Sequence, residues 1–169
     1  MNVLFLCTGN TARSVLAEGI LRKDGAGRFN AFSAGSHPKG VVNPLALSTL
    51  AAHGYSTEGF RSKSWDEFGA PDAPAMNFVF TVCDDAAGEA CPFWPGHPAT
   101  AHWGVADPAA VSSAPEEKAR AFETAFHLLR DRIAAFLALP LASLDPAALI
   151  PRLREIGRMD GATHRAHEA

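Results

Sequence analysis

A single α/β domain with a four-stranded parallel sheet flanked by helices is the fold this chain predicts. Three observations predict it. Short apolar runs alternate with stretches of helical period, the pattern of parallel strands joined by crossover helices. At 169 residues the chain is long enough for one domain with a substantial core and too short for two. Its 47% hydrophobic and 20% charged content is that of an ordinary soluble globular protein, so no disordered or membrane class is indicated.

The elements follow in order. The apolar run Val3-Leu4-Phe5-Leu6 marks a buried first strand, about 2–6, and a helix runs from Ser14 to about Lys23 with Gly25 as its stop. A second strand near 30–33 precedes the loop 35–42. Asn43 then caps a helix with Pro44 in its first turn, and Gly54 closes it. Ser64 and Glu67 have capping-box spacing for a short helix before Phe68. After the loop 69–74, residues 76–82 read as a central buried strand, and 84–98 as a long loop rich in Gly and Pro. His102 and Trp103 belong to a short fourth strand. From Pro115 to about Leu137, Phe122, Phe126, Leu129, Ile133 and Phe136 recur at helical spacing and form a core stripe. Leu149, Leu153 and Ile156 predict one more short amphipathic helix, stopped by Gly157, its apolar face meeting this domain or another subunit. The tail from Arg158 is polar and reads as loose. The organisation expected is a domain over 1–139 and an extension over 140–169 made of a short helix and that loose tail.

A net charge of −3 gives no general attraction to nucleic acid or anionic membranes. The first apolar run has no basic segment before it and stops at Cys7, unlike a secretory signal. The late apolar stretch 133–142 is too short to span a bilayer and contains Pro140. Three cysteines are an odd number, which argues against a structural disulfide framework and for a reducing cytoplasm.

The run Cys7-Thr8-Gly9-Asn10-Thr11-Ala12-Arg13-Ser14 says most about function. A cysteine, five loop residues and an arginine lie between a buried strand and a helix start. Backbone N–H groups of Thr8, Gly9, Asn10, Thr11 and Ala12 at a helix N-terminus can hold a tetrahedral oxyanion, and Arg13 adds a planar clamp. The helix dipole and the Arg13 charge are expected to lower the thiol pKa of Cys7, making it a nucleophile. Gly9 and Asn10 tolerate the positive φ that such a loop requires.

The segment VLFLCTGNTARSVLAEG resembles the opening of the low-molecular-weight protein tyrosine phosphatase superfamily, which includes arsenate reductases of the same fold. The likeness continues through Ser33-Ala34-Gly35, Asn43-Pro44, Thr81-Val82-Cys83-Asp84 and the run from His102 to Pro108, covering about 1–139. It implies a flavodoxin-like strand order and a family role for Asp107, ahead of Pro108, as the acid that protonates the leaving group. Ser14 is expected to stabilise the thiolate. Cys83 and Cys91 separate the two activities, since a phosphatase needs only Cys7. An arsenate reductase needs thiols to supply two electrons, and the resemblance implies a Cys7–Cys83–Cys91 relay. Thioredoxin, or glutathione with glutaredoxin, would then be the external reductant, with no bound cofactor.

The alternative is hydrolysis of aryl phosphate monoesters through a phosphocysteine. Against it, Ala109-Ala110 stand where the phosphatases usually carry aromatic residues, although Phe93 and Trp94 offer another wall. Some reductases of the family bind potassium near the loop. Asn10, Glu18 and Ser33 match three of its ligands, but Trp65 takes the place of an acidic one, so no ion is expected. A zinc set of Cys83, Cys91, His97 and His102 lacks the close Cys-x2-Cys pairing of structural zinc sites. His37, His53 and His127 read as surface or packing residues.

Overall fold

The computed structural model describes all 169 residues. Four parallel strands, β1 (Asn2–Cys7), β2 (Asn30–Gly35), β3 (Phe78–Thr81) and β4 (Ala99–His102), lie in the order β2-β1-β3-β4. Strand β1 is central, and Val3, Leu4, Phe5 and Leu6 are all fully buried because both sheet faces are covered. Alternate residues feed two cores. Val3, Phe5 and Cys7 join a large cluster of 28 buried residues, whereas Leu4 and Leu6 join a smaller one of eight with Trp65, Phe68, Val79 and Trp94.

Helices α1 (Arg13–Asp24), α2 (Pro44–Ala52) and α5 (Pro115–Leu137) pack on the larger face. The five apolar residues predicted for the α5 stripe are all buried there. Asn43 caps α2 as its sequence predicts, its Oδ1 accepting from the Leu45 amide at 2.9 Å, and Gly54 follows with φ of +75°. The register Cys7↔Gly35 and Leu6↔Thr81↔His102 brings all four strand ends to one edge, where the loops gather. None of the helices is long and apolar enough to cross a membrane.

The structure departs from the sequence reading in four places. Strand β2 continues to Gly35, since Gly35 pairs with both Cys7 and the Ser64 bridge. The short helix α3 (Asp66–Gly69) is present, but Ser64 and Glu67 form no capping box for it. The Ser64 hydroxyl accepts from the Asp66 amide, while Glu67 turns away to a bidentate pair with Arg61 at 3.0 and 2.6 Å. The supposed loop after β3 begins with a short helix, α4 (Asp84–Gly88).

The fourth departure is the tail. Helix α6 (Pro146–Gly157) lies on this domain: Leu153 and Ile156 enter the large core, and the Trp103 indole donates to the Leu153 carbonyl at 2.9 Å. Beyond it the chain is not loose. The fully buried Arg132 guanidinium holds the carbonyls of Met159 and Asp160, Ala162 bridges Val105, and a last helix, α7 (His164–Glu168), buries Ala166. A polar tail is held here by hydrogen bonds to buried partners, which its own low hydrophobicity does not reveal.

Candidate active site

Cys7 ends β1, and its sulfur is buried at the start of the loop leading to α1. The Ser14 hydroxyl lies 2.9 Å from Sγ, and the Asn10 amide donates to Sγ at 3.2 Å. Asn10 has φ of +48°, the left-handed conformation that curls the loop around the sulfur. Carbonyls of the loop are turned outward. Cys7 O accepts from Ser36 N, Thr8 O from His37 N, Gly9 O from Lys39 N and the Ser62 hydroxyl, and Thr11 O from Asn43 N. By contrast, the amides of Thr8, Gly9, Thr11, Ala12 and Arg13 have no acceptor in the protein. A row of unpartnered donors at a helix start is what an oxyanion requires.

Gly35 makes this geometry possible. A Cβ there would stand 2.4 Å from the Thr8 carbonyl oxygen and 3.0 Å from the Asn10 amide. Asn10 also braces the loop from inside, donating to Ser14 Oγ and Ser33 Oγ and accepting from the Lys63 amide. Ser33 in turn donates to the buried carboxylate of Glu18, which Arg22 also bonds. Burial raises the Glu18 pKa and lowers that of neighbouring Lys63. Asn10 presents its NH2 inward and Arg22 bonds the carboxylate, so the cluster is joined by its own side chains.

One electrostatic expectation reverses. Burial pushes the Cys7 thiol above its ordinary value, and the neighbouring Cys83 adds to the rise. The Ser14 hydroxyl and the Arg13 charge pull the other way without overcoming it. Desolvation disfavours the thiolate more than one partly exposed cation restores it.

Arg13 and Asp107 come together at the mouth. Arg13 Nη1 donates to the Val105 carbonyl at 3.0 Å, and Nη2 lies 3.5 Å from Asp107 Oδ2. Asp107 Oδ1 also accepts from the Ala109 amide at 3.0 Å, so both its capping role and its place beside the arginine are observed. Cys83, buried at the N-cap of α4, has its sulfur 3.5 Å from the Thr8 hydroxyl. Cys91 is exposed, in a cleft with Thr81, Ala87, Trp94 and His102, and no hydrogen bond joins it to either other cysteine. Partial burial and the charge of Glu89 push its thiol up. All three thiols are free. Trp94 is spent on packing edge-on against Trp65, and Phe93 is exposed against His97.

A network that sequence reading missed flanks Cys83. The Asp84 carboxylate accepts from His102 Nε2 at 2.8 Å and from the Thr163 hydroxyl at 2.5 Å, and His102 Nδ1 faces the Thr81 hydroxyl at 2.7 Å. These bonds hold the Asp84 carboxyl below the usual carboxylate range, against the opposing pull of burial. Thr163 is 79 residues from Asp84, so no spacing motif joins them. Because His102 is engaged here, Cys83, Cys91, His97 and His102 are not gathered as a zinc set.

Residues 2–146 match the family model described as low molecular weight phosphotyrosine protein phosphatase. The chain belongs to that family. An arsenate reductase of Bacillus licheniformis is 36% identical over 135 residues, spanning 79% of this chain and 93% of that protein. Among solved structures, an arsenate reductase in its oxidized state matches with a TM-score of 0.66 and 25% identity, covering 81% of this chain and 96% of the other. A thioredoxin-dependent arsenate reductase of Corynebacterium glutamicum shares the fold, with a TM-score of 0.53 and 22% identity over 79% of this chain and 61% of its own. The match takes in the Cys7 loop and ends at residue 146, so residues 147–169 lie outside the family model.

Proposed function

We propose that this protein reduces arsenate to arsenite, with Cys7 as nucleophile. One observation carries the reading: a thiol ringed by unpartnered amides has a second buried thiol, Cys83, at the edge of its loop, 3.5 Å from Thr8 Oγ1. A phosphate-ester hydrolase has no use for that second thiol. The arsenate reductases among the relatives support the same choice.

In the first step the Cys7 thiol gives its proton to the bound arsenate dianion, and the sulfur attacks arsenic, forming an S–As bond while one As–O bond breaks. Asp107 protonates the departing oxygen, which leaves as water. The amides of Thr8, Gly9, Thr11, Ala12 and Arg13 and the Arg13 guanidinium, released from Val105 O, hold the remaining oxygens. Ser14 donates to the sulfur as its charge forms. The Cys83 thiolate then attacks Cys7 Sγ. An S–S bond forms, the S–As bond breaks, and its electron pair stays on arsenic, so arsenite leaves and the two thiols are oxidised. Cys91 next attacks Cys83, freeing Cys7 and leaving a Cys83–Cys91 disulfide. Thioredoxin, or glutathione with glutaredoxin, reduces that disulfide in a reducing cytoplasm. The extension after residue 140 serves to hold the Cys83 segment in place.

The test is a single turnover of the reduced protein with arsenate and no external reductant. Arsenite is expected from the wild type, none from Cys83→Ser, and a normal first yield from Cys91→Ser with a Cys7–Cys83 disulfide trapped. Robust aryl-phosphate turnover with no arsenite, even with glutathione and glutaredoxin, would overturn the reading in favour of the phosphatase.

A further inference from the structure

We propose that His53, Glu123 and His127 form a second site, for a divalent transition-metal ion of the zinc class. His53 is the C-cap of α2, while Glu123 and His127 stand one turn apart on α5. The N-terminal end of α2 holds the Cys7 loop through Asn43 and Thr11. The cluster therefore lies the length of a nine-residue helix away, about 13 Å.

The two imidazoles converge on one carboxylate oxygen. Glu123 Oε1 is bonded by His53 Nε2 and lies 3.2 Å from His127 Nε2, and all three ligand atoms fall within 4.8 Å of one another. Tetrahedral zinc with bonds of about 2.0–2.2 Å sets neighbouring ligand atoms about 3.3 Å apart. The Glu123–His127 edge already has that spacing, and the His53–Glu123 edge has to open to reach it. Closing the third edge takes a swing of His127, whose side chain is 43% exposed.

His53 is held in place by the core. Its ring stacks on Phe126 at 4.1 Å with a 15° tilt, so one ligand is preorganised. Glu123 has no lysine or arginine partner, and the nearby Arg130 guanidinium lies over Phe126 instead. Neither imidazole uses Nδ1 in a bond to the protein, so each can keep its proton there and turn the Nε2 lone pair to an ion. Two neutral imidazoles, one carboxylate and solvent in the fourth position make a zinc-type donor set. Such an ion ties α2 to α5 and takes no part in the thiol chemistry.

Because thiols also bind zinc, calorimetry with Zn2+ is done on a full-length Cys7→Ser, Cys83→Ser, Cys91→Ser background. Binding at one ion per chain with a raised Tm is expected. His127→Ala and Glu123→Gln should each weaken it at least about tenfold, the lower end of what even an outer-shell partner contributes. In parallel, Co2+ added to the reduced wild type should give visible ligand-field bands, and the difference from His127→Ala should be the bands of this site, without the sulfur-to-cobalt charge transfer of thiol sites. This second reading stands even if the serine background fails to fold. Zinc affinity unchanged by His127→Ala, no binding at all, or a cobalt spectrum identical in wild type and His127→Ala would overturn the site and leave the cluster as a hydrogen-bonded brace.

Discussion

The Cys7 loop and the Cys83–Cys91 segment are both thiol regions at the same sheet edge, yet they are held in different ways. The loop is knit first by its own residues, with Ser33 and Lys63 bracing Asn10 from outside it. Cys7, Asn10 and Ser14 bond one another within eight residues of chain, and the donors that turn its carbonyls outward come mostly from the next loop, residues 36–43. The second segment borrows its restraints from afar. Asp84 is held by His102 and by Thr163 of the C-terminal tail, and Gly88 lies under the Arg165 guanidinium. The contrast teaches that anion binding is built by a local motif, whereas placement of the second thiol depends on the whole fold.

Substitutions that break one region and spare the other sharpen this difference. The largest effect is expected from Trp103→Ala, since this indole is fully buried, stacks on Phe80 at 3.8 Å and carries the α6 hydrogen bond. It should cost about 3–5 kcal/mol in chemical denaturation and loosen the tail before the loop, as read by hydrogen exchange.

Two glycines come next. Gly35→Ala drives a Cβ into the Thr8 carbonyl, while Gly104→Ala meets Thr163 Oγ1 at 2.1 Å and His102 Nε2 at 2.5 Å. Each should cost about 1–3 kcal/mol through overpacking. Their functional signatures should differ: Gly35→Ala loses protection of Cys7 from alkylation by phosphate, and Gly104→Ala keeps it while slowing arsenite release. Equal loss of protection in both would erase the contrast.

A smaller effect is predicted for Ser14→Ala. The Ser14 hydroxyl lowers a Cys7 pKa that burial has raised, so its removal raises the pKa further. The pH midpoint of Cys7 alkylation should move to higher pH, with the fold's stability little changed. A midpoint moving downward would show that Ser14 accepts from the thiol rather than stabilising the thiolate.

Thr163→Val should have the smallest effect, about 0.5–1.5 kcal/mol for one hydrogen bond. Asp84 has a depressed pKa in the folded protein, so its contribution is present above its ordinary pKa and is lost as pH falls through the folded one. The stability gap between wild type and Thr163→Val should therefore close in acid, and urea titrations at neutral and acid pH measure it.

Much of this was legible before the fold was known. The sequence alone determined the succession of the four strands with α1, α2, α5 and α6, the α5 core stripe, the Asn43 cap and the Cys7-to-Ser14 loop, because each rests on periodicity or on neighbours a few residues apart. It missed the folding of the tail, the Asp84–His102–Thr163 network and the meeting of His53 with Glu123, because those partners are distant in the chain and none forms a spacing motif. The ionisation of Cys7 lay out of reach for a related reason. Charge and helix position can be read from sequence and both favour the thiolate, but burial, which opposes them, is a property of the packed structure. Local chemistry was written in the order of residues; desolvation and long-range partnership were decided only when the chain closed on itself.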